Sequence, residues 1–417
     1  MDLPYSRIKG GVCAARGFLG SAVSCGIKDP KSDRLDLSLV YSDRECLSAG
    51  MFTQNRVKAA PVRISQIHLR SKKVRAIITN SGNANACTGP DGMQDARNMT
   101  KETARLLKLT QKEVAVCSTG VIGLPMPMMR IEPHYEALVE GLGEKKGTDV
   151  AKSIITSDTH EKEFAISFEI DGKRVRIGGC AKGAGMINPN MATMLCYITT
   201  DANVGQNCLN QAVSDAVENT FNRITIDGDT STNDTVIVLA NGAAGNKTMR
   251  RGSKECGNFC HALEFVMNRL AKAIVRDGEH VTKFVKLYVK GARNGLDAKK
   301  VAQAVANSSL VKASWNGEDP NWGRIIHAVG YSGASVKEEF VNIFYGSKLA
   351  CEGGLQGKTN PEVLRNIVSK SKFKITIDLG IGNGTHCIYT SDLSPEYVDF
   401  NRSEYAYWKQ AKRDGLV

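Results

Sequence analysis

Apolar positions along this chain recur at two periods, and the switching between them predicts an α/β fold. Residues 74–79, 235–240, 284–289 and 373–377 are short runs rich in the branched and aromatic residues that a pleated surface accepts. Residues 194–198 form another strand-like run. Residues 93–109, 209–221 and 259–274 instead repeat their apolar positions every three or four residues. Ala212, Val213, Ala216 and Val217 mark this face in the second, and Leu263, Val266, Met267 and Leu270 in the third. Asn360-Pro361-Glu362 opens a further helix, with proline where a missing N–H costs least. Gly291 and Gly380 punctuate strand ends, and no internal repeat or low-complexity tract interrupts the pattern.

Turn-forming loops at 141–147 and 241–247 are candidate boundaries. After 277–283 the strand-and-helix pattern starts again, so a smaller C-terminal α+β subdomain is expected over 284–417. With 417 residues, 42% hydrophobic, the chain can bury a sizeable core and carry two or three subdomains. No run approaches the roughly 18 to 20 apolar residues of a membrane span, and residues 1–7 lack a signal-peptide core, so a cytoplasmic location is expected. The net charge of +12 is dispersed rather than clustered, which argues against nucleic-acid binding and for a mild attraction of anionic substrates. The twelve cysteines stand singly, Cys256 and Cys260 being the closest at helical spacing. Reduced, partly buried thiols are expected, with neither a C-x-x-C metal pattern nor a disulfide framework.

Candidate chemistry concentrates in Lys182-Gly183-Ala184-Gly185-Met186-Ile187-Asn188-Pro189-Asn190-Met191-Ala192-Thr193-Met194-Leu195. Here a lysine, a small-residue backbone and a threonine meet at the mouth of an apolar run. A threonine hydroxyl needs a base, and no histidine or carboxylate stands nearby in sequence. The α-amine of Thr193 itself titrates near pH 8, but it exists only after the bond between Ala192 and Thr193 is cut. The pattern hints at self-cleavage followed by nucleophilic catalysis; by spacing alone Thr193 reads first as an ordinary strand residue.

The segment resembles the processing site of the ornithine acetyltransferase family, also called glutamate N-acetyltransferases. Further matches lie at Asn80-Ser81-Gly82-Asn83-Ala84-Asn85-Ala86-Cys87-Thr88-Gly89 and Ser118-Thr119-Gly120-Val121-Ile122-Gly123, and in residues 52–61, 221–234 and 317–325. The resemblance implies a layered α/β sandwich, an α chain of 1–192 and a β chain of 193–417 after cleavage, and an α2β2 heterotetramer. It implies ping-pong transfer of acetyl from N-acetylornithine to glutamate through acetyl-Thr193, with Thr119 and Gly120 as the oxyanion hole. Thr156, Lys182, Glu279 and Asn401 match substrate-binding positions, with Lys182 suited to a carboxylate and Glu279 to an ammonium group. Acetyl-coenzyme A as a second donor stays open.

Two departures stand out. Ala406 occupies a position where the family carries a terminal serine or threonine, for which Ser403 is a candidate substitute, and His280 stands where glycine commonly follows the glutamate. Residues 227–234 superficially resemble a calcium loop, but Thr232 replaces the required glycine and Val238 the bidentate glutamate, so a hydrogen-bonded turn is expected. Residues 380–384 lack the helix-opening context of a dinucleotide fingerprint. No metal and no nucleotide cofactor are expected. The competing reading is a threonine amidase or aminopeptidase with water as the final acceptor.

Overall fold

The computed structural model describes residues 5–188, 194–402, 409, 412 and 413. Thr193 and Ala192, the expected cleavage site, and Ser403 and Ala406 lie outside the described residues.

Strand Leu195–Thr200 is central in a six-stranded sheet of order Ser6–Ile8, Lys162–Ile170, Lys173–Lys182, Leu195–Thr200, Thr235–Ala240, Leu47–Phe52. It runs parallel to Thr235–Ala240, with Leu195 opposite Thr235, and antiparallel to Lys173–Lys182, with Leu195 opposite Lys182. A second sheet is ordered Phe18–Val23, Leu37–Ser42, Ala76–Asn83, Val114–Val121. Side chains alternate across a strand. Leu195, Tyr197, Ile237 and Leu239 therefore pack against Phe18, Val40, Ile77 and Cys117 of the second sheet. Cys196, Ile198, Val236 and Val238 face helices Gln206–Asn219 and Lys254–Arg276 instead. The far side of the second sheet, with Leu39, Ile78 and Val116, is covered by Ile64 of helix Ala60–Leu69 and by Ala96 and Met99 of helix Gly89–Leu107. The result is the expected α/β sandwich: helices, two sheets, helices.

Both faces of the central strands are buried, which explains why they are continuous apolar runs rather than alternating ones. A buried polar link crosses the sheet interface at mid-strand. Tyr197 Oη and Thr79 Oγ1, both buried, lie 2.8 Å apart.

The long helix starts at Ser253, whose hydroxyl accepts from Cys256 N at 3.1 Å, and its buried face carries Phe259, Leu263, Val266, Met267, Leu270 and Ile274. At its N-terminal end the expectation of reduced thiols fails, because Cys208 and Cys256 form a disulfide. A separation of 48 residues carries no signal by spacing. The bond depends on the side-by-side packing of two helices whose first turns coincide.

Phe284–Ala292 opens a third sheet, between Lys372–Asp378 on one side and Gly384–Ser391 on the other. It has its own apolar cluster, including Val285, Leu287, Trp315, Ile343 and Ile375. Asn360 caps helix Pro361–Val368, its side chain accepting from Glu362 N at 2.9 Å.

Tyr197→Phe is expected to lower the unfolding free energy by about 1–3 kcal/mol, because Thr79 is left unpaired in the core. Adding Thr79→Val should recover part of that loss in urea melts; strictly additive losses would argue against the bond.

Candidate active site

Chain segments distant in sequence meet at one end of the sandwich around a cavity of about 660 Å³. Thr119, Gly120, Thr156, Lys182, Glu279 and Asn401, six positions singled out from sequence, all line it.

Thr119 and Gly120 end strand Val114–Val121, which runs parallel to Ala76–Asn83 with Gly82 opposite Gly120. The ladder is irregular at Gly82 and Asn83. Gly120 has φ +136°, and a Cβ there would sit 2.3 Å from Gly82 C and 2.5 Å from Asn83 N. Only glycine fits. The surrounding asparagines hold this backbone: Ser118 Oγ donates to Asn80 Oδ1 at 2.5 Å, and Asn233 Nδ2 donates to Ala84 O at 2.6 Å and Ser118 O at 2.8 Å.

Lys182 ends strand Lys173–Lys182 and is buried. Its ammonium donates to Thr156 Oγ1 at 2.6 Å and to Thr119 Oγ1 at 3.3 Å, and lies 3.7 Å from Asp158 Oδ2. A donor at Thr119 Oγ1 leaves that hydroxyl's own proton to point elsewhere. Burial lowers the Lys182 pKa, and the Asp158 carboxylate opposes the shift. For Asp158 burial works upward, but Lys182 and Lys162 outweigh it and hold the carboxyl below its ordinary value. Asp158 also accepts from Lys162 Nζ at 2.6 Å, Gly183 N at 2.7 Å and Thr156 N at 3.0 Å. Lys162 in turn bonds Asp277, the residue that caps the long helix.

Glu279 follows that helix end and donates its N–H to Ala184 O at 2.9 Å. A Cβ on Gly185 would sit 2.5 Å from Glu279 Oε1, so a residue without a side chain lets the carboxylate approach this turn. His280 takes φ +51°, a left-handed conformation unusual for a side-chain-bearing residue, and its ring lies 5.2 Å from that of Phe400. Asn401 is exposed at the end of helix Pro395–Asn401, its Nδ2 donating to Tyr397 O at 2.8 Å.

The stretch 226–235 grips both flanks of residues 189–193. On one side Asp227 accepts from Met186 N at 2.5 Å and Ile187 N at 2.8 Å, and Ile226 N donates to Ile187 O at 2.8 Å. On the other, Asp234 Oδ1 accepts from Met194 N at 2.9 Å and Thr235 N donates to Met194 O at 3.0 Å. The calcium-like run is thus a hydrogen-bonded turn. Asp234 is fully buried, which pushes its carboxyl well above the ordinary value, and its Oδ2 has no partner among the described residues.

The ArgJ family profile matches residues 20–406. The chain belongs to the ArgJ family. An arginine biosynthesis bifunctional protein ArgJ from Geobacter sulfurreducens is 48% identical over 387 residues, covering 93% of this chain and 98% of that one. A glutamate N-acetyltransferase from Methanocaldococcus jannaschii is 44% identical over 418 residues, covering 95% and 99%. The crystal structure of an arginine biosynthesis bifunctional protein ArgJ from Bacillus halodurans shares 41% identity, covering 50% of this chain and 98% of that one with a TM-score of 0.48.

Within this ArgJ-family chain, sequence reasoning passed over Asp158, Lys162, Asp227 and Asp234 as individuals. Asp158 sits two residues from Thr156, and Asp227 and Asp234 lie in the polar run 227–234, so the signal was an acidic residue inside each matched motif. The absence of a nearby carboxylate in sequence also misled: Asp234, 40 residues from Met194, touches it in space.

Burial pushes the Asp227 carboxyl up to about 6, against three backbone N–H donors that favour its anion. A folded-state value above the unfolded one means a contribution to stability that is full below about pH 4 and lost as pH rises through about 6. Wild-type stability, measured by urea melts, should therefore fall relative to Asp227→Asn between those limits. Parallel curves would remove Asp227 as the titrating group.

Proposed function

We propose that this chain is a self-processing glutamate N-acetyltransferase, moving acetyl from N2-acetyl-L-ornithine to L-glutamate in arginine biosynthesis. The observation that carries the reading is the convergence of Thr119, Gly120, Thr156, Lys182, Glu279 and Asn401 on one cavity, beside the two clamped flanks of the segment containing Thr193. Membership of the ArgJ family and the high identity to a glutamate N-acetyltransferase supply the reaction class.

Cleavage between Ala192 and Thr193 would divide the chain into 1–192 and 193–417, the latter including a C-terminal subdomain over 284–417. The freed Thr193 amine takes the Oγ proton as Oγ attacks the acetyl carbonyl. The resulting oxyanion is met by Gly120 N–H and by the Thr119 hydroxyl, whose oxygen is held by Lys182. Collapse breaks the amide bond, the Thr193 ammonium returns a proton to the departing nitrogen, and ornithine leaves. Glutamate's amine then attacks the acetyl ester, releasing N-acetylglutamate and regenerating Thr193. This is ping-pong chemistry. Glu279 suits the ornithine side-chain ammonium. The Lys182 donors are already engaged by Thr156 and Thr119, so its ammonium acts on a substrate carboxylate as a charge within a shared network rather than as a free partner.

Acetyl-coenzyme A is the second donor in the bifunctional form of this reading, entering the same acyl-threonine with release of free thiol. The assembly is an α2β2 heterotetramer and the location cytoplasmic. Among the described residues no helix is long and apolar enough to cross a membrane.

Intact mass under denaturing conditions should give two fragments meeting between Ala192 and Thr193, and one undivided 45.2 kDa chain for Thr193→Ala. Beyond one equivalent per enzyme, ornithine release from N-acetylornithine should require stoichiometric glutamate. Release indifferent to glutamate would make the enzyme a hydrolase, and an undivided wild-type chain would remove the amine-assisted threonine. In processed enzyme, Thr119→Val should lower kcat by about 10²–10³ with little change in KM, the cost of one oxyanion donor.

A further inference from the structure

Away from the cavity, the sulfurs of Cys208, Cys256 and Cys260 all lie within 4.8 Å of one another. Two are buried and joined, and the third is half-buried and free. We propose that these three residues form a thiolate site for a soft divalent cation of the zinc class, open when the protein is reduced and closed when Cys208 and Cys256 are joined.

Placement on the helices supports this. Cys208 is the third residue of helix Gln206–Asn219, and Cys256 the third of helix Lys254–Arg276. Each therefore sits in a first turn, where the positive end of the helix favours a thiolate over a thiol. Cys260 lies one turn beyond Cys256 on the same face, as spacing by four requires. Two helix starts and a neighbouring turn thus aim three sulfurs at one point. A tetrahedral zinc with bonds of about 2.3 Å holds its sulfurs roughly 3.8 Å apart, inside the observed spread and reachable by side-chain rotation. Water completes the fourth position. A purely structural disulfide would account for Cys208 and Cys256 but would leave the third sulfur without a role.

The two states exclude each other chemically. A phosphine reductant breaks the S–S bond, taking oxygen from water to become the phosphine oxide while the two water protons end on the two sulfurs. Binding of Zn²⁺ then exchanges three S–H bonds for three S–Zn bonds and releases three protons to solvent. The expectation of no metal rested on the lack of a C-x-x-C pattern; this site is assembled across two helices, where spacing in sequence is silent.

The test uses the full chain, reduced with a phosphine, desalted without oxygen and titrated with Zn²⁺ and, separately, Co²⁺. Retained zinc is counted by mass spectrometry of the metal, and thiolate ligation is read from the sulfur-to-cobalt charge-transfer band. About one equivalent per chain, with the band, is expected for reduced wild type. Neither is expected for oxidised wild type or for reduced Cys260→Ser, which keeps Cys208 and Cys256 and lacks only the third sulfur. Cys87→Ser removes an exposed thiol elsewhere and should bind as wild type. Absence of metal and band in reduced wild type, unchanged binding by Cys260→Ser, or loss of binding in Cys87→Ser would each overturn the proposal.

Discussion

Asp158 lies buried between the ammonium groups of Lys162 and Lys182, and Lys162 reaches on to Asp277. This chain of charges joins the turn carrying Thr156, the strand ending at Lys182 and the end of the helix that leads to Glu279. Burying a compensated pair is close to neutral in free energy, whereas removing one member costs about 3–5 kcal/mol because it strands the other. The network is therefore a poor source of stability and a strict constraint on geometry. Thr156, Lys182 and Glu279 cannot move independently while it holds.

Upon that constraint rests a second one, made of backbone rather than charge. Gly82 and Gly120 face each other where the parallel pair of strands goes out of register, and a Cβ at Gly120 has no room. The asparagines of 80–85 and Asn233 satisfy the amides and carbonyls that the irregular ladder leaves over. An exposed Gly120 beside a buried Thr119 is thus built into the end of a rigid sheet. The Lys182 ammonium on Thr119 Oγ1 ties this element back to the charge network.

Clamping of residues 186–187 and 194 by Asp227 and Asp234 gives the stretch between them fixed anchor points. Both clamps are acidic, both are raised by burial, and both come from one polar run opposite the flanks. A run that reads as surface turn chemistry serves as a wall of the site because the parallel pairing of Leu195–Thr200 with Thr235–Ala240 brings their N-terminal ends together.

Local pattern determined a good deal by itself. Strand Thr235–Ala240 and helix Pro361–Val368, with its Asn360 cap, appear where periodicity and capping chemistry put them. The predicted run 74–79 is observed as Ala76–Asn83, extended because Asn80, Ser81 and Asn83 are held by Ser118, Ser153 and Leu124 outside the strand. Thr119, Gly120, Thr156, Lys182, Glu279 and Asn401 are named by family resemblance, since their local chemistry alone reads as turn, cap and surface residues. Tertiary structure alone decided that Lys182 is buried on Thr156 and Thr119, that Lys162 meets Asp277, that Asp234 lies beside Met194 and that Cys208 bonds Cys256. Those pairs are 26 to 115 residues apart. No periodicity spans such distances; the packing of two sheets and their covering helices brings them into contact.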